Sequence, residues 1–169
     1  DLFEHVVYSS AFTGRRVLGT GDCLWGLVDG MNDAGLAVSL AFGGRPGSGP
    51  GFGIPLVVRY LLEVAESLDD VRSVLRRVPV NMSYNLTFVD GSGENLTAFV
   101  APDSAPEFSS ARVATNHRGT VPEYPERARS LRSVERQRLL LSLLDCEPDP
   151  TELISSFLRP PLRSTEYGR

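Results

Sequence analysis

The chain has 169 residues and a formal net charge of −4, and its 17 basic residues are all arginine. This length allows one domain with a buried core, and the acidic balance argues against a nucleic-acid partner, which needs clustered positive charge. A sequence without lysine excludes Schiff-base chemistry and the lysine of a phosphate-binding loop.

Two further features exclude a membrane partner and a disulfide framework. No apolar run reaches the roughly 20 residues that a membrane-spanning helix needs. Cys23 and Cys146 lie far apart in the sequence and do not form the pattern of a disulfide-stabilised domain. A reducing compartment is therefore expected, and we predict a cytoplasmic protein.

The first half of the chain predicts four strands. EHVVYSSAF and RRVLG are typical of two short strands, and LWGLVDGM and GLAVSLAF of two more. The turn NDAG joins the last two, and its Gly35 can take a positive φ. The next segment, GGRPGSGPGFG, is too rich in glycine and proline for regular structure.

Two helices are predicted after this glycine-rich segment. Pro55 begins the first, which runs through Glu66. Its spacing places one set of residues on the solvent face (Arg59, Glu63 and Glu66) and another in the core (Val57, Leu61 and Val64). Ser67, with Asp70 three residues later, forms a capping box that begins the second helix, SLDDVRSVLRRV.

The second half begins with a predicted hairpin, in which YNLTFVD and ENLTAFVA flank the turn GSG. ARVATN predicts one more strand, PERARSLRSVERQRLLLSLL a long helix, and DPTELISSFL a short helix capped by Asp149 with Pro150 at its first position. This order predicts a single α+β domain over residues 1–169, with mainly antiparallel strands and helices packed on a sheet face.

Cys23 and His117 are the first candidates for chemistry. A histidine can activate a thiol, and Asp22 or Asp29 could orient that histidine. The alternative is a buried structural cysteine, which is the commoner state of this residue. The two histidines in the sequence, His5 and His117, have no closely spaced cysteine or histidine partners, so we predict no metal site and no cofactor.

Arg136 and Asn116 are the other two candidates. On a helix, Arg136 shares a face with Leu139, Leu140 and Leu143, where a cation is costly unless it is paired. Its charge either reaches solvent along this face or points into a functional interior. Asn116 ends a predicted strand, where a side-chain amide either stabilises an oxyanion or serves as a turn residue.

Several of these segments together resemble a known enzyme family. LVDGMNDAGLAVSLAF, SLDDVRSVLRRVP, YNLTFVDGSG, ATNHRG and the arginine-bearing helix follow one another in the order seen in acyl-coenzyme A:6-aminopenicillanate acyltransferases, conjugated bile acid hydrolases and penicillin V acylases. The resemblance implies an N-terminal-nucleophile fold, an αββα sandwich, truncated here at both ends. It covers essentially the whole chain.

The resemblance also implies a mechanism. In that family a cysteine becomes the first residue of the mature chain, and its α-amino group, with a pKa of about 8, acts as the base. Asn116 matches the oxyanion-hole amide, and Arg136 matches the arginine that orders the site. Nothing in this sequence matches the nucleophile itself, and Cys23 is then interpreted as structural.

Substrate residues follow from the same resemblance. Ala41 stands where bile acid hydrolases carry an asparagine, which favours the acyltransferase-like branch. We expect Ala41, Phe42 and His117 at the substrate, which would be a small acyl amide or acyl thioester. Two alternatives stay open, an internal cysteine hydrolase using Cys23 and His117 and an inactive homologue kept for binding. Assembly into a homo-oligomer also stays open.

Overall fold

The computed structural model describes residues 7–22 and 24–164 of the chain. Within those residues, seven strands form one antiparallel sheet in which each strand pairs with the next along the sequence. The strands are β1 (Val7–Ser10), β2 (Val17–Asp22), β3 (Gly26–Asn32), β4 (Ala37–Phe42), β5 (Tyr84–Val89), β6 (Asn95–Ala101) and β7 (Ser104–Ser109). The predicted hairpins β3–β4 and β5–β6 are confirmed, and β1 and β2 form a further hairpin.

Two helices cover one face of the sheet. Helix α1 (Ile54–Val64) packs against β3, and α2 (Leu68–Leu75) contacts β6. Their apolar side chains and those of the sheet form the hydrophobic core, which includes Leu27, Leu61, Val71, Leu86, Phe88 and Leu96. Three further helices follow the sheet in sequence, namely α3 (Pro125–Ser130), α4 (Ser133–Asp145) and α5 (Pro150–Phe157).

Short-range signals in the sequence predicted the helix starts and the turn correctly. The Ser67 hydroxyl accepts from the Asp70 amide and the Asp70 carboxylate accepts from the Ser67 amide, which completes the capping box. Asp149 accepts from the amides of Thr151 and Glu152, at 2.8 and 3.0 Å. Gly35 takes a φ of 88° in the β3–β4 turn.

The assignment of faces on α1 was wrong at three positions. Arg59 and Glu63, expected in solvent, are only 8% and 6% exposed, whereas Val64, expected in the core, is 38% exposed. The end of the β1–β2 hairpin lies over this side of the helix, where the Thr13 hydroxyl donates to the Glu63 backbone carbonyl at 2.8 Å. Helical periodicity predicts one buried face, and it cannot anticipate a second layer on another side.

The expected strand ARVATN is also wrong. The last strand is β7, formed by the more polar SAPEFS, and residues 110–119 have no strand or helix conformation. Side chains of the sheet bind the backbone of this segment instead: Asn95 Nδ2 donates to the Ser110 and Ala111 carbonyls, and Thr97 Oγ1 donates to Ala111. Because β7 already occupies the edge of β6, the later segment crosses the sheet face opposite α1 and α2.

The long helix predicted over residues 125–144 is two helices. Leu131 ends α3, and Arg132 has a φ of 50°, in the left-handed region, before α4 begins at Ser133. The sequence on both sides consists of good helix formers, so propensity gives no sign of a break. Ser133, the first residue after the break, contacts the 115–117 segment, which lies far away in the sequence.

The α+β class and the mainly antiparallel sheet with packed helices are confirmed. On the face opposite α1 and α2, Leu18, Met31, Ala37 and Val89 stand directly beside one another on β2 to β5. Leu18, Met31 and Val89 are each more than 40% exposed. An apolar row of this kind is the surface that a second sheet covers in an αββα sandwich.

Candidate active site

Asn116, Arg136 and Phe42, which come from separate parts of the sequence, meet at one end of the sheet. Asn116 is half-buried, and its Nδ2 donates to the backbone carbonyl of Phe42, the last residue of β4, at 2.9 Å. Its Oδ1 accepts a hydrogen bond from the Arg136 guanidinium. Both groups of the amide are thus held by residues that the sequence had also assigned to the site.

Arg136 reaches Asn116 from the first turn of α4. Its Nε donates to the Leu131 carbonyl at 3.1 Å, which binds the arginine to the junction between α3 and α4. The leucines that share its helix face are only half-buried, so Arg136 has less apolar surroundings than the sequence predicted.

His117 is buried, with 3% of its surface exposed. Its Nδ1 lies 2.5 Å from Ser133 Oγ, and its Nε2 lies 3.1 Å from Gln137 Oε1. Burial lowers the pKa of His117, because the charged imidazolium loses solvation. Both ring nitrogens are bonded inside the protein, so a direct contact between His117 and a substrate stays a prediction.

Asn85 and Ser133 belong to the site although the sequence analysis missed them. Asn85, on β5, is 1% exposed, and its Nδ2 donates to the carbonyls of Thr115 and His117 at 2.7 and 3.1 Å. Ser133 accepts from the Asn116 backbone amide at 2.9 Å. A polar amide within the apolar strand YNLTF was a usable signal, because buried polar groups need partners. Ser133 gave no comparable signal.

The glycine-rich segment approaches the site closely at Gly44. This residue has a φ of 73°, and a Cβ built on it would lie 1.9 Å from the Asn116 carbonyl oxygen. Both its conformation and its neighbour therefore require glycine. Ala41, two residues before Gly43, is half-buried on β4 directly beside Asn85.

A cavity of 490 Å³ adjoins the site on the side of Phe42. The Arg127 guanidinium lies 5.9 Å from the centre of the Phe42 ring and connects the two. The lining residues come from the glycine-rich segment, α3 and the loop before it: Pro46, Glu123, Tyr124, Pro125, Glu126, Arg127 and Ser130. A separate apolar cavity beside α1, lined by Phe52 and Tyr60 among others, includes none of the site residues.

Two negative observations concern only residues 7–22 and 24–164. None of their helices is both long and apolar enough to cross a membrane. No group of three or more histidine, cysteine, aspartate or glutamate side chains among them is placed to hold a metal ion. Cys23 lies outside the described residues, so its proposed pairing with His117 stays untested.

Comparison with solved structures shows a likeness in fold. Conjugated bile acid hydrolase from Clostridium perfringens, as its R18L variant, is 16% identical with a TM-score of 0.50, over 70% of this chain and 42% of that one. Penicillin V acylase from Agrobacterium tumefaciens is 19% identical with a TM-score of 0.47, over 74% of this chain and 44% of that one. The chain therefore spans less than half the length of these two proteins.

Comparison of the sequence identifies the family. No curated protein matches the chain. The family model described as acyl-coenzyme A:6-aminopenicillanic acid acyl-transferase matches residues 4–160, which is nearly the whole sequence. The chain belongs to the acyl-coenzyme A:6-aminopenicillanic acid acyl-transferase family.

Proposed function

We propose that this chain is the oxyanion-stabilising part of an enzyme that transfers or hydrolyses the acyl group of an amide or thioester. The nucleophile is a cysteine at the start of the mature protein, upstream of Asp1, and its α-amino group acts as the base. Family membership and the geometry around Asn116 support this proposal.

The orientation of the Asn116 amide is the observation that carries the proposal. A guanidinium can only donate hydrogen bonds, so Arg136 requires Oδ1 on its side; the Phe42 carbonyl can only accept, so it requires Nδ2. Nδ2 has two N–H bonds, and Phe42 takes one of them. The other is not used by any partner among the described residues, and it is available to a substrate oxygen.

The proposed reaction has two steps. The cysteine thiolate attacks the acyl carbonyl, and Asn116 donates to the oxygen as it becomes negative. The tetrahedral intermediate then expels an amine or a thiol, which takes a proton from the α-ammonium group, and leaves an acyl-enzyme. Water or an amine attacks this acyl-enzyme in the second step and releases the acid or a new amide.

Substitution of Asn116 tests the proposal in the full-length protein. We expect Asn116→Ala to lower kcat roughly 10²- to 10³-fold, the usual cost of losing one oxyanion donor. Asn95→Ala is the matched control, because it removes an amide with two backbone partners away from the site. Rates are measured on acylated amines, acyl thioesters and p-nitrophenyl esters. Equal kcat values for wild type and Asn116→Ala would refute the oxyanion role.

The Arg136→Leu variant shows whether Arg136 orients Asn116 or stabilises the fold. Without the guanidinium, the Asn116 amide can rotate, so we expect kcat to fall. We expect the melting temperature to change little or to rise, because the variant no longer desolvates a half-buried cation on folding. A variant that melts early and keeps full kcat per folded molecule would contradict the assignment of Arg136 to the site.

Mass spectrometry separates the proposed mechanism from the two alternatives. A trapped acyl group on the N-terminal cysteine supports the proposal, whereas an acyl group on Cys23 supports an internal cysteine hydrolase. Binding of substrate without turnover or trapping supports an inactive homologue. The hydrogen bonds of both His117 nitrogens within the protein disfavour the internal cysteine hydrolase, which needs that ring as a base.

A further inference from the structure

Ser133 is the first residue of α4 and is fully buried. Its hydroxyl touches three groups of the segment that carries Asn116: the Asn116 backbone amide at 2.9 Å, His117 Nδ1 at 2.5 Å and Thr115 Oγ1 at 3.0 Å. One side chain therefore connects the start of a helix to the backbone of the proposed oxyanion donor.

The donors and acceptors around His117 favour one assignment of protons, in which Thr115 Oγ1, 3.3 Å from Nδ1, donates to the Ser133 carbonyl instead. Gln137 Nε2 donates to the Gly119 carbonyl, which leaves Gln137 Oε1 facing His117 as an acceptor, so His117 Nε2 carries the ring proton. His117 Nδ1 is then an acceptor. Ser133 Oγ accepts from the Asn116 amide and donates its own proton to Nδ1.

We propose that Ser133 and His117 are a positioning pair that fixes Asn116, and that the pair holds Asn116 correctly only while the imidazole is neutral. The proposal rests on the oxyanion role of Asn116 given above. In this role both side chains are positioning residues. They act by holding the backbone from which the Asn116 amide reaches Phe42 and Arg136.

Protonation of His117 reverses the hydrogen bond at Nδ1. A charged imidazole donates from both nitrogens, so Ser133 Oγ then accepts from Nδ1 and from the Asn116 amide together, and its proton turns to Thr115. Arg136 opposes the new charge and Glu123 favours it, while Gln137 and Ser133 on α4 are neutral. The Ser133 hydroxyl must rotate to make this change, and we expect that rotation to shift the lone pair that holds the Asn116 amide.

The depressed pKa of His117 gives the direction of the pH dependence. Burial lowers the pKa in the folded protein below the 6.5 of a free histidine, which favours the neutral ring. The unfolded chain binds a proton more readily than the folded one below that value, so this contribution to stability is present above pH 6.5 and is lost as the pH falls. As the pH falls further, towards the pKa of His117 in the folded protein, protonation of the ring should displace the Asn116 amide.

Substitution of Ser133 in the full-length protein tests the pair. Ser133→Ala should lower kcat roughly 10- to 100-fold with KM changed less than about twofold, because the oxyanion donor is displaced while the cavity beside Phe42, which Ser133 does not line, is unchanged. Ser133→Cys, which can still accept and donate weakly, should recover part of the loss. Ser109→Ala is the matched control, since its hydroxyl also accepts a backbone amide, from Ala111, and we expect wild-type kcat.

Two measurements do not depend on turnover. Amide hydrogen exchange at Asn116 should accelerate in Ser133→Ala and not in Ser109→Ala. NMR titration should show the pKa of His117 raised in Ser133→Ala, because the neutral Nδ1 loses its donor. Unchanged Asn116 exchange together with an unchanged His117 titration would overturn the pair, whatever the protein catalyses.

Variants of His117 test the requirement for a neutral ring. His117→Asn keeps an acceptor for Ser133 that cannot be protonated. We expect this variant to keep most of the wild-type kcat. It should lose the decrease in kcat at low pH that follows protonation of His117 in the wild type. His117→Phe keeps the volume without the acceptor and should resemble Ser133→Ala. If Asn116→Ala lowers kcat while Ser133→Ala and His117→Phe leave it unchanged, the positioning pair is refuted and the proposed function is supported.

If no acyl substrate is turned over, the proposed function is refuted. Amide hydrogen exchange at Asn116 then tests the positioning pair by itself.

Discussion

Asn32 gives the sharpest prediction about stability. Its side chain is 6% exposed and makes four hydrogen bonds: Nδ2 donates to the carbonyls of Leu62 and Ala65 at 3.0 and 2.8 Å, and Oδ1 accepts from the amides of Ala34 and Leu36, both at 3.1 Å. The first two bonds satisfy carbonyls at the end of α1, which no helical amide can reach. The other two hold the β3–β4 turn.

Asn32→Ala should lower the free energy of unfolding by about 4 kcal/mol, at about 1 kcal/mol for each of the four bonds. At the roughly 2–4 °C per kcal/mol typical of a domain of 150–250 residues, that loss corresponds to a decrease of roughly 8–16 °C in melting temperature. The measurement is thermal and urea unfolding of the full-length protein. Asn95→Ala, which removes two bonds from a half-buried amide, should cost less than about 1.5 kcal/mol.

Comparing the loss of unfolding free energy in the two asparagine variants tests this argument. If Asn32→Ala destabilises no more than Asn95→Ala, the four bonds do not act together and Asn32 is not the residue that fastens α1 to the turn. The predicted result would show that Asn32, the asparagine of the DGMNDAGL segment, stabilises the fold. Asn116 differs from it, because its loss should affect turnover.

Two further predictions concern the glycine-rich segment and α1. Gly44→Ala should lower both kcat and stability, because its Cβ would displace the Asn116 carbonyl, whereas Gly47→Ala, also at positive φ but with open space around it, should lower stability by about 1 kcal/mol and leave kcat unchanged. Arg59→Met should destabilise by about 3 kcal/mol by leaving Glu63 buried without its ion pair, and adding Glu63→Leu should recover part of that loss in urea unfolding. A double variant that is additive would show that the two side chains do not interact.

The sequence predicted the α+β class with a mainly antiparallel sheet, and it selected two residues that meet in the structure. Alternating apolar residues and turn glycines identified two hairpins, and short-range capping signals located the starts of α2 and α5. Asn116 and Arg136 were predicted from their positions and from family resemblance, and the structure brings them into contact.

The tertiary structure decided how these parts are buried and held. Arg59 and Glu63 look like solvent-facing residues of an amphipathic helix until the β1–β2 hairpin covers them. Ser133 looks like an ordinary residue within a long helix until its hydroxyl binds the Asn116 backbone.

The physical reason is the range of the interactions. Caps and tight turns form between residues at most a few positions apart, so the sequence that determines them can be read locally. The bonds that orient Asn116 join residues 74 and 20 positions apart in the chain, to Phe42 and Arg136. Only the packing of the sheet, the glycine-rich segment and α4 brings those groups within hydrogen-bonding distance.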